Sequence, residues 1–177
     1  MTNIYHATPY DICLASSSAS QTATGFYFST YDEYAEKAAS HRNEHGDPVE
    51  EYEIQFIDGD NSHLFKAVGV NQANLQTWFD KFEDLDGDDA IKAIYLAEDL
   101  GYRLEDALDR LDDVHLFEGT AIEYAESYIE DTGLLNEMSD NLRYYFDTEA
   151  FARDLLLGGD ITELEVERTK YIVQACF

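Results

Sequence analysis

Apolar residues along the chain switch between a period of two and a period near 3.6, and the switches divide it into elements. Asn3–His6 and Gly25–Ser29 read as short strands. Glu51–Ile57 sets Tyr52, Ile54 and Phe56 against Glu53 and Gln55, the alternation of a strand with one face buried. Between the last two strands a helix is predicted over 31–44, with Pro48 ending it. The stretch 13–24 is small and polar and reads as a loop. Asn71 can cap a helix carrying Leu75, Trp78, Phe79 and Phe82, which Asp86-Gly87 breaks. A helix over 88–100 takes Asp88 or Asp89 as N-cap and buries Ile91, Ile94 and Ala97. Leu104, Leu108 and Leu111 mark the next, over 103–113.

The last third returns to mixed elements. Val114–Phe117 is a strand, and 120–131 a helix with Ile122, Ala125 and Ile129 in one stripe. A short helix near 140–145, a helix over 148–157 and a hairpin of 161–166 with 169–175 complete the pattern, with Glu167-Arg168 at the turn. The expected class is α+β in an elongated chain of three modules. These are a small antiparallel sheet with a helix (1–68), an acidic helical stretch (69–113), and a small antiparallel sheet with helices (114–177). A short repeat marks the two mixed modules: Thr30, Glu33, Tyr34, Ala35 and Glu36 recur as Thr120, Glu123, Tyr124, Ala125 and Glu126. Each copy follows a strand with Phe near its end, Phe28 or Phe117, and each reads as a capping box. Duplication and convergence on a good helix start both account for it.

Charge changes the picture most. The chain of 177 residues carries 38 Asp and Glu against 11 Lys and Arg, a net of −27. Residues 83–140 alone hold 19 acids and three bases (Lys92, Arg103, Arg110), more than half the net charge. Uniform halophilic adaptation spreads acids more evenly. The acids also repeat at i, i+3 and i+4, where like charges cost a helix about 0.2–0.5 kcal/mol per pair. The candidate surface comprises Asp84, Asp86, Asp88, Asp89, Glu98, Asp99, Glu105, Asp106, Asp109, Asp112 and Asp113, followed by Glu123, Glu126, Glu130 and Asp131. Such a surface repels nucleic acid and anionic membranes and attracts basic proteins. A merely solvated face is the plainer reading.

Other chemistry is thin. With 45% hydrophobic residues the chain can build a core, and no apolar run approaches the length of a membrane helix. The opening Met1–His6 lacks the basic start and apolar stretch of a signal peptide. Cys13 and Cys176 make neither a disulfide framework nor a zinc site and fit a reducing cytoplasm. Asp84-Leu85-Asp86-Gly87-Asp88-Asp89 resembles a calcium loop but has Asp89 where glycine is needed and Tyr95 where the closing Glu belongs. His41 and His45 stand four apart with Arg42 after the first, not the Glu of a zinc-protease helix. Neither metal nor cofactor is expected. Tyr5-His6-Ala7-Thr8 with Gly25-Phe26-Tyr27-Phe28-Ser29 loosely resembles the opening of ADP-ribosyltransferase-like domains, which implies His6 on the nicotinamide ribose and Glu53 or a neighbour as the catalytic acid.

A wider resemblance covers the second half. Asn141-Leu142-Arg143-Tyr144-Tyr145-Phe146-Asp147 and Glu149-Ala150-Phe151-Ala152-Arg153-Asp154-Leu155 resemble the "P-x-x-L-x-x-Y-[IF]-D" and "E-A-[FY]-[GA]-R-D-L" blocks of ArdA-type antirestriction proteins. Ser139 stands near the common Pro, and Ala97–Ala107 and Phe117–Thr120 are also similar. The resemblance is strongest over 97–157 and reaches only the outline of 1–80. It implies a non-enzymatic DNA mimic from a phage or mobile element. Such a protein acts in the bacterial cytoplasm, is dimeric through its C-terminal module, and occupies the DNA groove of type I restriction–modification enzymes. Mimicry against another DNA-binding target, such as a CRISPR effector, is the alternative. The charge agrees with either, because −27 equals that of about 13–14 base pairs of duplex. Carboxylates one helical turn apart are about 6 Å apart along the axis, close to the spacing of successive phosphates.

Self-repulsion on this scale predicts that moderate salt stabilises the fold. The melting temperature should rise between low and physiological ionic strength, and a fall would contradict an exposed acidic surface.

Overall fold

The computed structural model describes residues 2–10, 25–85 and 87–176; the loop expected over 13–24, with Cys13, and the candidate Asp86 lie outside them. The chain forms two compact units, Met1–Leu108 and Asp109–Phe177. Each contains a three-stranded antiparallel sheet with helices, in keeping with the α+β class.

In the first unit β1 (Ile4–Pro9) lies between β2 (Phe26–Phe28) and β3 (Tyr52–Asp58), with Tyr5 opposite both Phe28 and Phe56. Alternation turns Tyr5 and Ala7 inward, both fully buried. Helix α1 (Tyr31–Ser40) bridges β2 and β3 and buries Tyr34. The helices α2 (Ser62–Ala67), α3 (Leu75–Thr77), α4 (Gly87–Glu98) and α5 (Leu104–Leu108) complete the unit. Its core is aromatic: the Tyr5 ring lies 5.5 Å from Phe28, 5.3 Å from Phe56, 5.7 Å from Phe65 and 5.2 Å from Phe79. Pairs of this kind add about 0.5–1.5 kcal/mol each beyond the area they bury. The fully buried Trp78 donates its Nε1–H to the Tyr5 hydroxyl at 2.9 Å, so that oxygen is not left unsatisfied.

In the second unit β6 (Thr169–Ala175) lies between β4 (Val114–Glu118) and β5 (Thr162–Val166). Helices α6 (Ala121–Thr132), α7 (Asp140–Arg143) and α8 (Thr148–Gly158) join the two edge strands. Ala121, Ala125, Ala152, Ile161 and Ile172 form the core, flanked by Phe117, Tyr124, Phe151, Leu155 and Leu156. The two units share one topological idea. Each has two parallel edge strands joined by helix across an antiparallel central strand, a split β-α-β arrangement. In the first unit the central strand precedes the crossover, and in the second it follows it.

The repeat falls at matching places, as the start of the crossover helix. Thr120 and Glu123 make a full capping box: the Thr120 amide donates to the Glu123 carboxylate at 2.8 Å, and the Glu123 amide donates to Thr120 Oγ1. In α1 the box is displaced. Thr30 still accepts from the Glu33 amide, but the Glu33 carboxylate takes the Ser29 amide instead.

Several elements depart from the periodicity. Helix α1 ends at Ser40, not 44, because His41 turns extended and Arg42 pairs back with Pro48 in an isolated bridge. Asn43 Oδ1 holds that loop by accepting from the amides of His45 and Asp47. Asn71 caps no helix: its Oδ1 accepts from the Ala73 amide in a turn, and α3 begins only at Leu75. The helix then widens into a π turn, Trp78–Phe82, with the Glu83 amide donating to the Trp78 carbonyl. Asp88 and Asp89 lie in the first turn of α4 rather than at its N-cap. That helix buries Ala90, Ala93, Ile94, Tyr95 and Leu96, leaving Ile91 and Ala97 half-buried. The helix expected over 103–113 breaks after Leu108 and resumes as a 3-10 turn, Leu111–Asp113. In α6 the buried positions are Ala121 and Ala125, and Ile122 is exposed.

The terminal hairpin turns at Glu167-Arg168 as expected, with φ of 50° and 71°. Two positive values describe a type I′ turn, which asks for Asn-Gly. The double change Glu167→Asn with Arg168→Gly should stabilise the second unit by about 1–2 kcal/mol. Urea melts followed by circular dichroism would show it, whereas fluorescence of the one tryptophan, Trp78, reports the first unit.

Candidate functional site

Fourteen of the fifteen candidate carboxylates are described, and every one is exposed. Seven belong to the first unit: Asp84, Asp88, Asp89, Glu98, Asp99, Glu105 and Asp106. Seven belong to the second: Asp109, Asp112, Asp113, Glu123, Glu126, Glu130 and Asp131.

In the first unit Asp84 follows the π turn, and Asp88 and Asp89 open α4, where the helix dipole favours negative charge. The other end of α4 opposes that rule. Its last turn has no base, and Glu98 and Asp99 sit there instead. An acid at a helix C-terminus forgoes about 0.3–1 kcal/mol that a base would contribute. Burial, and then the Glu98 charge, raise the Asp99 carboxyl above its ordinary pKa. Two of these acids have partners: Glu98 lies 3.1 Å from His63 Nε2, and Asp89 lies 3.7 Å from Lys92 Nζ. Glu105 and Asp106 open α5, and both are exposed.

In the second unit Asp109, Asp112 and Asp113 surround the 3-10 turn, with Asp113 3.8 Å from Arg110. Helix α6 presents Glu126 and Glu130 outward, one turn apart. Its C-terminal turn has no base and carries Glu130 and Asp131, again against the dipole, with Ser127 donating to Asp131. Glu123 differs from its neighbours. Its carboxylate accepts from both the amide and the hydroxyl of Thr120, which hold its pKa below the ordinary value. Glu123 is a helix cap first and a surface charge second.

Other carboxylates lie outside the acidic run. Glu163 and Glu165 point outward from the edge strand β5, where the Thr-Glu-Leu-Glu-Val alternation was the available signal. Asp147 caps α8 by accepting from the Ala150 amide. Arg143 is structural: it donates to the carbonyls of Met138 and Asn136. Some large apolar side chains are exposed as well. Tyr144 and Tyr145, in the ArdA-like block, are 86% and 80% exposed, and Leu142 and Leu157 are exposed with them in the second unit.

His6 lies on the solvent side of the first sheet, its Nδ1 3.0 Å from Thr8 Oγ1 and its ring against Tyr27. Gln55 stands opposite it, and Glu53 stands opposite Thr8. His41 hydrogen-bonds the Tyr52 hydroxyl at 3.0 Å and stacks on its ring. Among the described residues no group of three or more His, Cys, Asp or Glu side chains is arranged to hold a metal ion. No described helix is long and apolar enough to cross a membrane.

The raised and lowered carboxyls predict opposite pH effects. An acid held above its unfolded pKa opposes folding once ionised, so Asp99→Asn should raise the melting temperature at neutral pH. The gain should vanish in acid, where Asp99 is protonated in both states. Glu33 and Glu123 are held low, so their contribution is present above the unfolded pKa and lost as pH falls through the folded one. Glu123→Gln should therefore cost stability at neutral pH and little in acid, as read from melts across pH 2–7.

Comparison with known proteins matches residues 10–168 to the family model of the antirestriction protein (ArdA). No curated protein matches the chain.

Proposed function

Because the chain belongs to the ArdA family of antirestriction proteins, we propose that it is a non-enzymatic DNA mimic. In this reading its carboxylates occupy the DNA-binding groove of a type I restriction–modification enzyme in the bacterial cytoplasm. The observation that carries the proposal is the placement of the acids. They are exposed on folded elements, short of bases, and retained at the C-terminal ends of α4 and α6, where stability favours Lys or Arg. A face selected for solubility alone has no need of acids in those turns.

Carboxylates on helices meet Lys and Arg of a groove with little further ordering, so binding energy is not spent on fixing loops. The attraction is long-ranged, which makes association fast and weakens it with salt. Asp84, Asp88, Asp89, Glu98, Asp99, Glu105, Asp106, Asp109, Asp112, Asp113, Glu126, Glu130 and Asp131 present the charge, and Asp86 lies in the same run. Tyr144, Tyr145 and Leu142 support a homodimer through the C-terminal module, since a second copy would bury them. A dimer doubles the mimicked length to about 27 base pairs.

The test is competition. A purified type I methyltransferase core, holding a labelled duplex, is titrated with the protein at two salt concentrations. The expected result is displacement of the DNA that weakens as salt rises. Reversing Glu105, Asp106, Asp112, Glu126 and Glu130 together to Lys should abolish displacement while the circular dichroism spectrum persists. Single Ala changes at these exposed positions should each do little. Full displacement by the five-fold reversal would rule out mimicry through this face.

A further inference from the structure

One acid of the run is drawn partly out of solvent. Glu83 is half-buried, immediately before Asp84, in the segment joining the π turn to α4. Its Oε1 accepts from the Tyr5 hydroxyl at 3.0 Å and from Asn3 Nδ2 at 3.2 Å. Both donors are deeply buried: Tyr5 is 0% exposed and Asn3 7%. Behind Tyr5 the chain of bonds continues to Trp78 Nε1. The main chain of the same segment is held from the other side. Asn61 Nδ2 donates to the carbonyls of Glu83 at 3.2 Å and Leu85 at 3.0 Å. Asn61 sits at φ 66°, a left-handed conformation that Asn tolerates better than most residues. Asn3 ties the two sides together by accepting from the Asp60 amide through its Oδ1.

We propose that Glu83 and Asn61 are positioning residues, a two-sided clamp on 83–85 that fixes Asp84 and the acidic first turn of α4 for the basic partner. The inference rests on the DNA-mimic reading and deepens it by separating acids that present charge from one that holds their backbone. A rigid array of carboxylates binds without first losing loop entropy, and the clamp supplies that rigidity where no helix does. The bonds join residues 22 to 80 positions apart, so they fix the segment against the sheet and α2 rather than against itself.

Chemistry separates the two roles. Both donors address the same oxygen, so the amide of Glu83→Gln can keep both bonds while losing the charge. Glu83→Ala loses both. Asn61→Gly keeps the left-handed backbone and removes only the two donors, which guards against a variant that merely unfolds. In the methyltransferase competition, Glu83→Gln should displace DNA within about twofold of the parent and with the same salt dependence. Glu83→Ala and Asn61→Gly should each weaken displacement about tenfold, roughly what one or two lost hydrogen bonds amount to. In a background of Asp84→Ala, Asp88→Ala and Asp89→Ala, Asn61→Gly should cost almost nothing more, because there is no charge left to position. Equal losses for Gln and Ala at Glu83, with a flatter salt dependence, would show that Glu83 itself presents charge and would overturn the proposal. So would an Asn61→Gly variant that competes as the parent does. Failure of the parent protein to displace DNA would instead defeat the mimic reading, and the clamp's purpose with it.

Discussion

Every part of this protein must cohere against its own charge. With 38 acids and 11 bases, most carboxylates have no cation to pair with, and the ion pairs that do form are at the surface, where each contributes little. Cohesion therefore falls to apolar packing. The first unit concentrates it in an aromatic cluster around Tyr5, whose hydroxyl is bonded on both sides, accepting from Trp78 and donating to Glu83. That burial raises the Tyr5 pKa well above its ordinary value, which favours the neutral hydroxyl that donates to Glu83. The second unit sets small residues against larger ones: Ala121, Ala125 and Ala152 let Ile161, Ile172 and the flanking Phe117, Tyr124 and Phe151 pack close.

The acids divide by what surrounds them. Glu33 and Glu123 cap helices, Asp147 caps another, and Glu83 is drawn into the polar end of the aromatic core. These four stabilise the scaffold. The other described acids stand on its outside, and some stand where the helix dipole opposes them. The mimicry proposed for this chain would need both classes, because a charge pattern is recognisable only when its spacing is held.

Much of this was legible in the sequence. The strands declared themselves by alternation, and Thr120 with Glu123 announced the start of α6 because a capping box is local. The exposure of the candidate acids followed from their place opposite the apolar stripes. What failed to show was non-local. The π turn exists because Trp78 and Phe82 pack with the cluster around Tyr5, some 70 residues away in sequence. Helical spacing puts Ile91, Ile94 and Ala97 on the buried face of α4, and the structure buries Ile94 but turns Ala90 and Ala93 inward with it and leaves Ile91 and Ala97 half-buried. Glu83 looked like one more acid in a run, since nothing beside it in sequence reveals Asn3 or Tyr5 as its partners.

The different placement of the central strand in the two units has a consequence for how the chain acquires its shape during synthesis. In the first unit β1 emerges early, and β2 and β3 can add to it as they are made. In the second, β4, three helices and β5 are all translated before β6, the only strand that pairs with either edge. Until then the nascent unit has helices but no sheet, because β4 and β5 pair with β6 and not with each other. Its long-range pairings form late, so a ribosome stalled or released short of β6 would leave a tethered, half-built unit behind a finished one.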